Sequence, residues 1–170
     1  YIEYADFERT EEQARKTIAK AKKKDSRHAL DRFTEEVDGE YRIKAEPPLL
    51  VPLRELQEKF SRVTEQLVIE TFEAYRRSIR PDCRVLLQNF QPVDIALKVV
   101  GVGSVGTRCW IVLLEGRDRN DPLFLQMKEA TTSVLAEHLP PNPHENQGRR
   151  VVEGQRLVQT SSDIFLGWTQ

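Results

Sequence analysis

The chain has 170 residues, which is long enough for one domain with a hydrophobic core and short for two. Charged residues make up 31% of it and hydrophobic residues 39%, a balance typical of a folded, soluble protein and not of a disordered one. The net charge of −1 excludes a global field that attracts nucleic acid or an anionic membrane, and no apolar run reaches the roughly 18 residues of a membrane span.

The cysteines and the start of the chain indicate the setting of the protein. Cys83 and Cys109 are too few for a disulfide framework, and they lack the CxxC spacing of zinc and redox sites. The chain begins at Tyr1 with no starting Met and no basic-then-apolar leader. We therefore expect a cytoplasmic location, and we expect the chain to be part of a longer protein.

The first section, residues 1–82, is predicted to be mainly helical. Residues 9–24 are rich in Ala, Glu, Lys and Arg, which favours a helix with little apolar face. Residues 26–37 are predicted as a second short helix, followed by a turn at residues 38–39 and a short strand. Apolar residues then recur at helical spacing over residues 54–79, which predicts the longest helix of the chain.

The second section, residues 83–170, is predicted to hold a sheet and a helix. Three runs favour strands through alternation or β-branched and aromatic residues: residues 93–99, 107–114 and 123–130. Residues 149–159 have the composition of a helix. The two sections together predict an α+β fold.

A glycine-rich segment, GVGSVG, joins the first two of these predicted strands. Gly101, Gly103 and Gly106 fit the GxGxxG spacing, which is a weak signal alone because glycines also mark ordinary turns. A dinucleotide site requires a helix after the glycines, whereas a strand is predicted here, as in the loop that covers ATP in protein kinases. Glycines let the backbone N–H groups approach phosphate oxygens, and Ser104 can add a hydroxyl. The alternative is a tight hairpin whose glycines serve geometry only.

Lys128 and a helical glutamate complete the kinase-like pattern. Lys128 ends the third predicted strand, where the VAIK pattern of kinases places a phosphate-pairing lysine. Kinases hold that lysine with a glutamate of the next helix, and Glu153 is the natural candidate, with Glu145 and Glu137 as competitors. Arg108 departs from the pattern, since kinases usually carry a valine there. A solvated lysine and an ordinary surface glutamate are the simpler alternative.

The kinase-like pattern predicts a specific contact between Lys128 and Glu153. We expect the helix to turn the face of Glu153 and Leu157 toward the sheet, and we expect Lys128 and Glu153 to lie close enough for a salt bridge, directly or after a modest rotation of the helix such as inactive kinases undergo. Alternation in the third strand places Lys128 on one sheet face with Phe124 and Gln126.

The remaining polar residues give weaker signals. His28, His138 and His144 lack the spacing of a metal site, so we predict no metal ligands and no catalytic residues within the chain. The lysines at residues 20–24 are explained more simply as a solvated helix end than as a nucleic-acid contact.

Two stretches, GVGSVGTRCWIVLLEGRDRNDPLFLQMKEA and RRVVEGQRLVQTSSDIFLGW, together with DGEYRIKAEPPLLVPL, closely resemble a bacterial family of uncharacterised proteins, domain of unknown function twenty-two fifty-two. Full-length members are longer. They carry a GDxHxxNF-type segment and an Asp-rich segment that resemble the catalytic and metal-binding loops of aminoglycoside-phosphotransferase-like kinases. Neither segment occurs in this sequence.

The resemblance implies a kinase-like N-lobe, an antiparallel sheet with a glycine-rich hairpin and a packed helix, behind an N-terminal helical section. It implies that ATP with magnesium, and any phosphoryl transfer, belong to the full-length protein. The expected partners are a nucleotide and either a second copy or the rest of the protein, with no membrane, and nucleic acid is not favoured. The alternative function is a non-catalytic interaction module that keeps the kinase-like fold.

Overall fold

The computed structural model describes residues 13, 15, 26–56, 65–99 and 106–170. Most of the predicted helix at residues 9–24 lies outside these residues. The described part contains five helices and six strands. In chain order they are α1 (Ser26–Phe33), β1 (Thr34–Val37), β2 (Glu40–Ile43), β3 (Leu50–Pro52), α2 (Leu53–Leu56), α3 (Glu65–Ser78), α4 (Pro81–Leu87), β4 (Gln91–Lys98), β5 (Cys109–Glu115), β6 (Pro122–Lys128) and α5 (Gln147–Val158).

The strands β1 and β2 form a separate hairpin directly after α1. Asp38 and Gly39 both have positive φ, 52° and 78°, which is the backbone of the tight turns that join paired strands. The predicted helix over residues 26–37 is therefore wrong for its last four residues. The pairing of these four residues with β2 overrides the helical spacing that Val37 shares with Leu30 and Phe33, so the helix ends at Phe33.

The main sheet has four strands in the order β3-β4-β5-β6, and every neighbouring pair is antiparallel. The three strands predicted from the second section are confirmed as β4, β5 and β6. The short β3 comes from the first section and pairs its Leu50 with Lys98 of β4. This mixture of helices with an antiparallel sheet confirms the α+β class, whereas the division at residue 82 stays a prediction.

Both faces of this sheet are covered. The helix face carries Ile95, Val112 and Leu114, which pack on α3 and α4. The hairpin face carries Ala96, Ile111 and Leu113, which pack on α1 and on the β1–β2 hairpin. Because β5 is buried on both faces, its sequence is almost continuously apolar rather than alternating.

The helix face is covered by two helices that meet near a proline. The helix predicted over residues 54–79 is observed as α2 and α3, and residues 57–64 between them lie outside the described residues. After α3 ends at Ser78, Pro81 opens α4, since a proline at the first turn lacks only an N–H that has no intrahelical partner. Phe72, Ile79 and Leu87 carry the packing of this layer.

One carboxylate joins three elements at the edge of the hairpin face. Asp94 in β4 accepts hydrogen bonds through Oδ2 from the backbone N–H of Ile43 and from the guanidinium of Arg54, each at 2.8 Å. Its Oδ1 accepts from the N–H of Ile95 at 2.9 Å. Arg54 also donates to the carbonyl of Ile43 at 2.8 Å. The Asp94 side chain is only 9% exposed, so this network is shielded from water.

We expect the substitution Asp94→Ala to lower the free energy of unfolding by about 3 kcal/mol, because it leaves a part-buried guanidinium and a backbone N–H without their acceptor. Urea unfolding at neutral pH measures the change. The matched control is Arg42→Ala, which removes an exposed ion pair with Glu40 and should cost less than about 1 kcal/mol. Equal losses from the two substitutions would contradict the shielded network.

Candidate functional site

The glycine-rich segment connects β4 and β5, which are consecutive antiparallel strands. Gly101, Gly103 and Ser104, three of the predicted phosphate-binding residues, lie outside the described residues. Gly106 is described and has a φ of 85°, a conformation that other residues rarely adopt, although an added Cβ would meet no atom within 4 Å. Backbone conformation, and not lack of space, therefore favours glycine at this position.

Lys128 lies at the same end of the sheet as the glycine-rich segment. It is the last residue of β6 and pairs with Cys109, three residues after Gly106. Alternation places it on the hairpin face with Phe124 and Gln126, as predicted, and Gln126 donates to the Sγ of Cys109 at 3.1 Å. The Lys128 side chain is exposed and forms no ion pair within the described part of the chain.

Arg108 and Glu129 form a two-pronged ion pair beside Lys128. Arg108 comes just before β5, Glu129 comes just after β6, and the N–H of Glu129 donates to the carbonyl of Arg108 at 3.0 Å. The guanidinium Nε donates to Oε2 of Glu129 at 3.2 Å, and Nη2 donates to Oε1 at 3.0 Å. The backbone N–H of Arg108 adds a third hydrogen bond to Oε2 at 3.1 Å. The pair therefore closes the β5–β6 ladder at the end next to the glycine-rich segment.

These hydrogen bonds fix the charge of the carboxylate. The guanidinium of Arg108, followed by its backbone N–H, lowers the pKa of Glu129 from 4.5 to about 2. The same hydrogen bond raises the pKa of Arg108. Both groups are consequently ionised at neutral pH.

A cavity of about 930 Å³ lies between the helix face, α3, α5 and the C-terminal residues 163–170. Its apolar lining is drawn from all of these elements: Phe72, Val112, Leu125, Met127, Val152 and Phe165. Arg108, Lys128 and Glu129 contribute the charged part of the lining at the sheet end. A second cavity of about 360 Å³ shares these three residues, so the charged cluster adjoins both spaces.

The C-terminal segment, residues 163–170, forms one wall of the larger cavity. The sequence favours a strand over residues 163–168, but the segment joins no ladder in the described structure. It is held by hydrogen bonds to helix side chains: the Tyr75 hydroxyl donates to the Phe165 carbonyl at 2.6 Å, and the Trp168 N–H donates to Ser78 Oγ at 2.7 Å. Burial, and secondarily the charge of Asp163, raises the pKa of Tyr75. The hydroxyl therefore stays protonated as a donor.

A direct salt bridge between Lys128 and Glu153 is not formed in the described structure. Glu153 lies in α5 and pairs with Arg156 at 3.7 Å. The helix turns Val152 inward, with 4% exposure, while Leu157 is 86% exposed, so the predicted inward face is wrong. The physical reason is that α5 buries Val152 beside the cavity, so that Glu153 does not line the cavity and pairs with Arg156 of its own helix, whereas Lys128 does line it. Of the competitors, Glu145 lines the larger cavity and Glu137 is an exposed loop residue.

A family model described as an uncharacterized protein conserved in bacteria, DUF2252, matches residues 2–170. The chain belongs to this DUF2252 family. The match confirms the resemblance inferred from the three sequence stretches. No curated protein and no solved structure matches the chain.

Within this DUF2252 chain, sequence reasoning missed the role of Glu129. The kinase pattern directed attention to helical glutamates, although Glu129 directly follows Lys128 and Arg108 comes two residues after the last glycine, Gly106. The signal was available in the pairing of the two strands. An antiparallel register that pairs Cys109 with Lys128 brings their outer neighbours, Arg108 and Glu129, opposite each other.

Three further observations concern the described residues of this DUF2252 chain. No group of three His, Cys, Asp or Glu side chains in the described ranges can hold a metal ion. No described helix is both long and apolar enough to cross a membrane. Cys83 and Cys109 are both buried as free thiols.

We expect the Glu129 carboxyl to titrate with a pKa of about 2 in the folded protein, which carboxyl NMR shifts can measure. The substitution Arg108→Ala should return this pKa toward 4.5. Because the folded pKa is lowered, the contribution of the pair to stability is present above pH 4.5 and is lost as the pH falls toward 2. A pKa near 4.5 in the unsubstituted protein would contradict the observed pairing.

A glycine substitution in the C-terminal segment, with a second one in α5 as its control, tests how closely the segment packs on α3. A Cβ at Gly167 would lie 2.6 Å from Ser78 Oγ and 2.9 Å from a Tyr75 ring carbon, so Gly167→Ala should destabilise the fold by about 1–3 kcal/mol. The matched change Gly154→Ala in α5 meets nothing within 4 Å and should stabilise by about 0.5–1 kcal/mol, because alanine favours the helix. Thermal unfolding measures both. A stabilising Gly167→Ala would contradict the close packing of the segment on α3.

Proposed function

We propose that this chain binds the phosphates of a nucleotide at the glycine-rich end of the β4–β5 pair, as part of a kinase-like protein. The observation that carries the proposal is the arrangement of three consecutive antiparallel strands. The glycine-rich segment joins the first two strands, and Lys128 ends the third beside the start of the second. Gly101, Gly103, Ser104, Gly106 and Lys128 are the proposed binding residues.

The chemistry of this end suits a polyphosphate. Backbone N–H groups exposed by glycines donate to phosphate oxygens without adding charge, and Lys128 supplies a mobile cation. The cluster of Arg108, Lys128 and Glu129 has a formal charge of +1, so it favours an anion. The adjoining cavity of about 930 Å³ has the size of a small-molecule pocket and an apolar lining for the uncharged part of the ligand.

Phosphoryl transfer requires more than these residues supply. In kinases, carboxylates hold the magnesium ions that bridge the phosphates. The described residues offer no such group of ligands, so we place the magnesium ligands and the catalytic loop in another part of the full-length protein. The chain's own contribution is to bind and orient the phosphates of ATP.

A non-catalytic interaction module is the second candidate, and two observations favour it. Lys128 has no carboxylate that holds it toward a ligand in the described structure. Leu157 and Val158 at the end of α5 are 86% and 82% exposed, which is unusual for neighbouring large aliphatic residues. A protein that kept this fold without binding nucleotides would show both features.

We expect weak binding of magnesium ATP by the chain, with a dissociation constant of about 1 mM. At 10 mM ligand this stabilises the fold by about 1.4 kcal/mol, which raises the melting temperature by about 3–5 °C. The substitution Lys128→Ala should reduce the increase to about 1 °C, since a tenfold weaker site is only half occupied. Differential scanning fluorimetry measures these increases.

The control is Lys44→Ala, because the Lys44 ammonium donates to the Asp31 carbonyl and lines neither cavity. This variant should keep the full increase in melting temperature. Absence of any nucleotide-dependent change in the unsubstituted chain would contradict the proposal and favour the interaction module. An equal loss in the Lys44 and Lys128 variants would remove Lys128 from the site.

A further inference from the structure

The cation that a carboxylate orients at this site is an arginine and not the expected lysine. Arg108 is held by Glu129 through two side-chain hydrogen bonds of 3.2 and 3.0 Å, whereas Lys128 has no described ion-pair partner. Both cations adjoin the two cavities. Arg108 is also closer in the chain to the glycine-rich segment, since only Thr107 separates it from Gly106.

The geometry of the pair leaves part of the guanidinium available. Arginine has five N–H donors in a planar fork, and Glu129 occupies one on Nε and one on Nη2. The Nη1 amino group and the second Nη2 proton have no protein acceptor among the described residues. The Arg108 side chain is 71% exposed, so a ligand can reach these donors. An oxyanion can therefore bind on the outer edge of the fork while Glu129 holds the inner edge.

We propose that Arg108, oriented by Glu129, is the principal cation that contacts the phosphates of the ligand, and that Glu129 is its positioning residue. This inference rests on the proposed function, because it concerns the same end of the sheet. A planar guanidinium forms two parallel hydrogen bonds with a phosphate, and an ammonium cannot reproduce that geometry. Glu129 limits the side-chain freedom that Arg108 would otherwise lose on binding.

The alternative is that the pair only closes the β5–β6 ladder. The other end of the same two strands provides the comparison, because Arg117 and Asp121 form a similar pair there. The Arg117 side chain is 86% exposed, and its Nε lies 3.4 Å from Asp121 Oδ2. Neither Arg117 nor Asp121 lines either cavity. If ladder closure were the whole role of such pairs, substitutions at the two ends would have the same effect on ligand binding.

Equilibrium titration with inorganic tripolyphosphate, and then with magnesium ATP, tests the proposal. We expect Arg108→Ala to weaken tripolyphosphate binding by about tenfold or more, and Arg108→Lys to weaken it nearly as much because the bidentate contact is lost. Glu129→Gln should weaken binding by about three- to fivefold through loss of orientation. Arg117→Ala and Asp121→Asn should leave the affinity within about twofold, since exposed pairs of this kind contribute little.

Circular dichroism confirms that each variant is folded, and Arg108→Gln serves as a second variant that keeps most of the side-chain volume. Tighter binding by Glu129→Gln would contradict the positioning role, because it would show that the carboxylate only neutralises the arginine. Binding within twofold of the unsubstituted chain for Arg108→Ala, with a large loss for Lys128→Ala, would overturn this inference and leave the proposed function intact. No binding of either ligand by the unsubstituted chain would overturn both.

Discussion

The Asp94 carboxylate is the constraint on which the arrangement of the fold depends. It binds the backbone of β2 and the guanidinium of Arg54, so the hairpin, the start of α2 and the central sheet are fixed to one another. The Asp94 side chain is only 9% exposed, so its oxygens need hydrogen-bond donors from the protein, and Ile43, Arg54 and Ile95 provide them. The interaction lies beside a register shift in β4, between Pro92 and Asp94.

Both faces of the sheet are covered, and the charged residues Arg108, Lys128 and Glu129 lie at one end of its strands. The central strand β5 is buried on both sides, and its Val112 contributes to the apolar lining of both cavities. At one end, the described chain provides Gly106, Arg108, Lys128 and Glu129 beside two cavities. Arg108, Lys128 and Glu129 lie where the strands meet their connections, so these side chains are exposed to solvent while the strands that hold them are largely buried.

The sequence was sufficient for elements that depend on local pattern. The strands β4, β5 and β6 were predicted from alternation and from β-branched residues. Alternation also placed Lys128 on the same sheet face as Phe124 and Gln126. Prediction from the sequence was wrong where contacts between separate elements determine the local structure. Val37 continues the helical spacing of Leu30 and Phe33, but residues 34–37 pair with β2, and the side chain that α5 buries is Val152 and not Leu157. The Arg108–Glu129 pair was missed because its partners are 21 residues apart and meet only through strand register.

The most direct test of the account is a map of where a nucleotide binds. A titration of the nitrogen-15 labelled chain with a non-hydrolysable magnesium ATP analogue, followed by amide NMR shifts, provides that map. We predict that the largest shifts fall at residues 99–108 and 128–129, with smaller ones along the C-terminal segment, and that the opposite turn at residues 116–121 does not respond. Shifts confined to the exposed end of α5, or no shifts at all, would contradict a phosphate site at the glycine-rich end of the sheet.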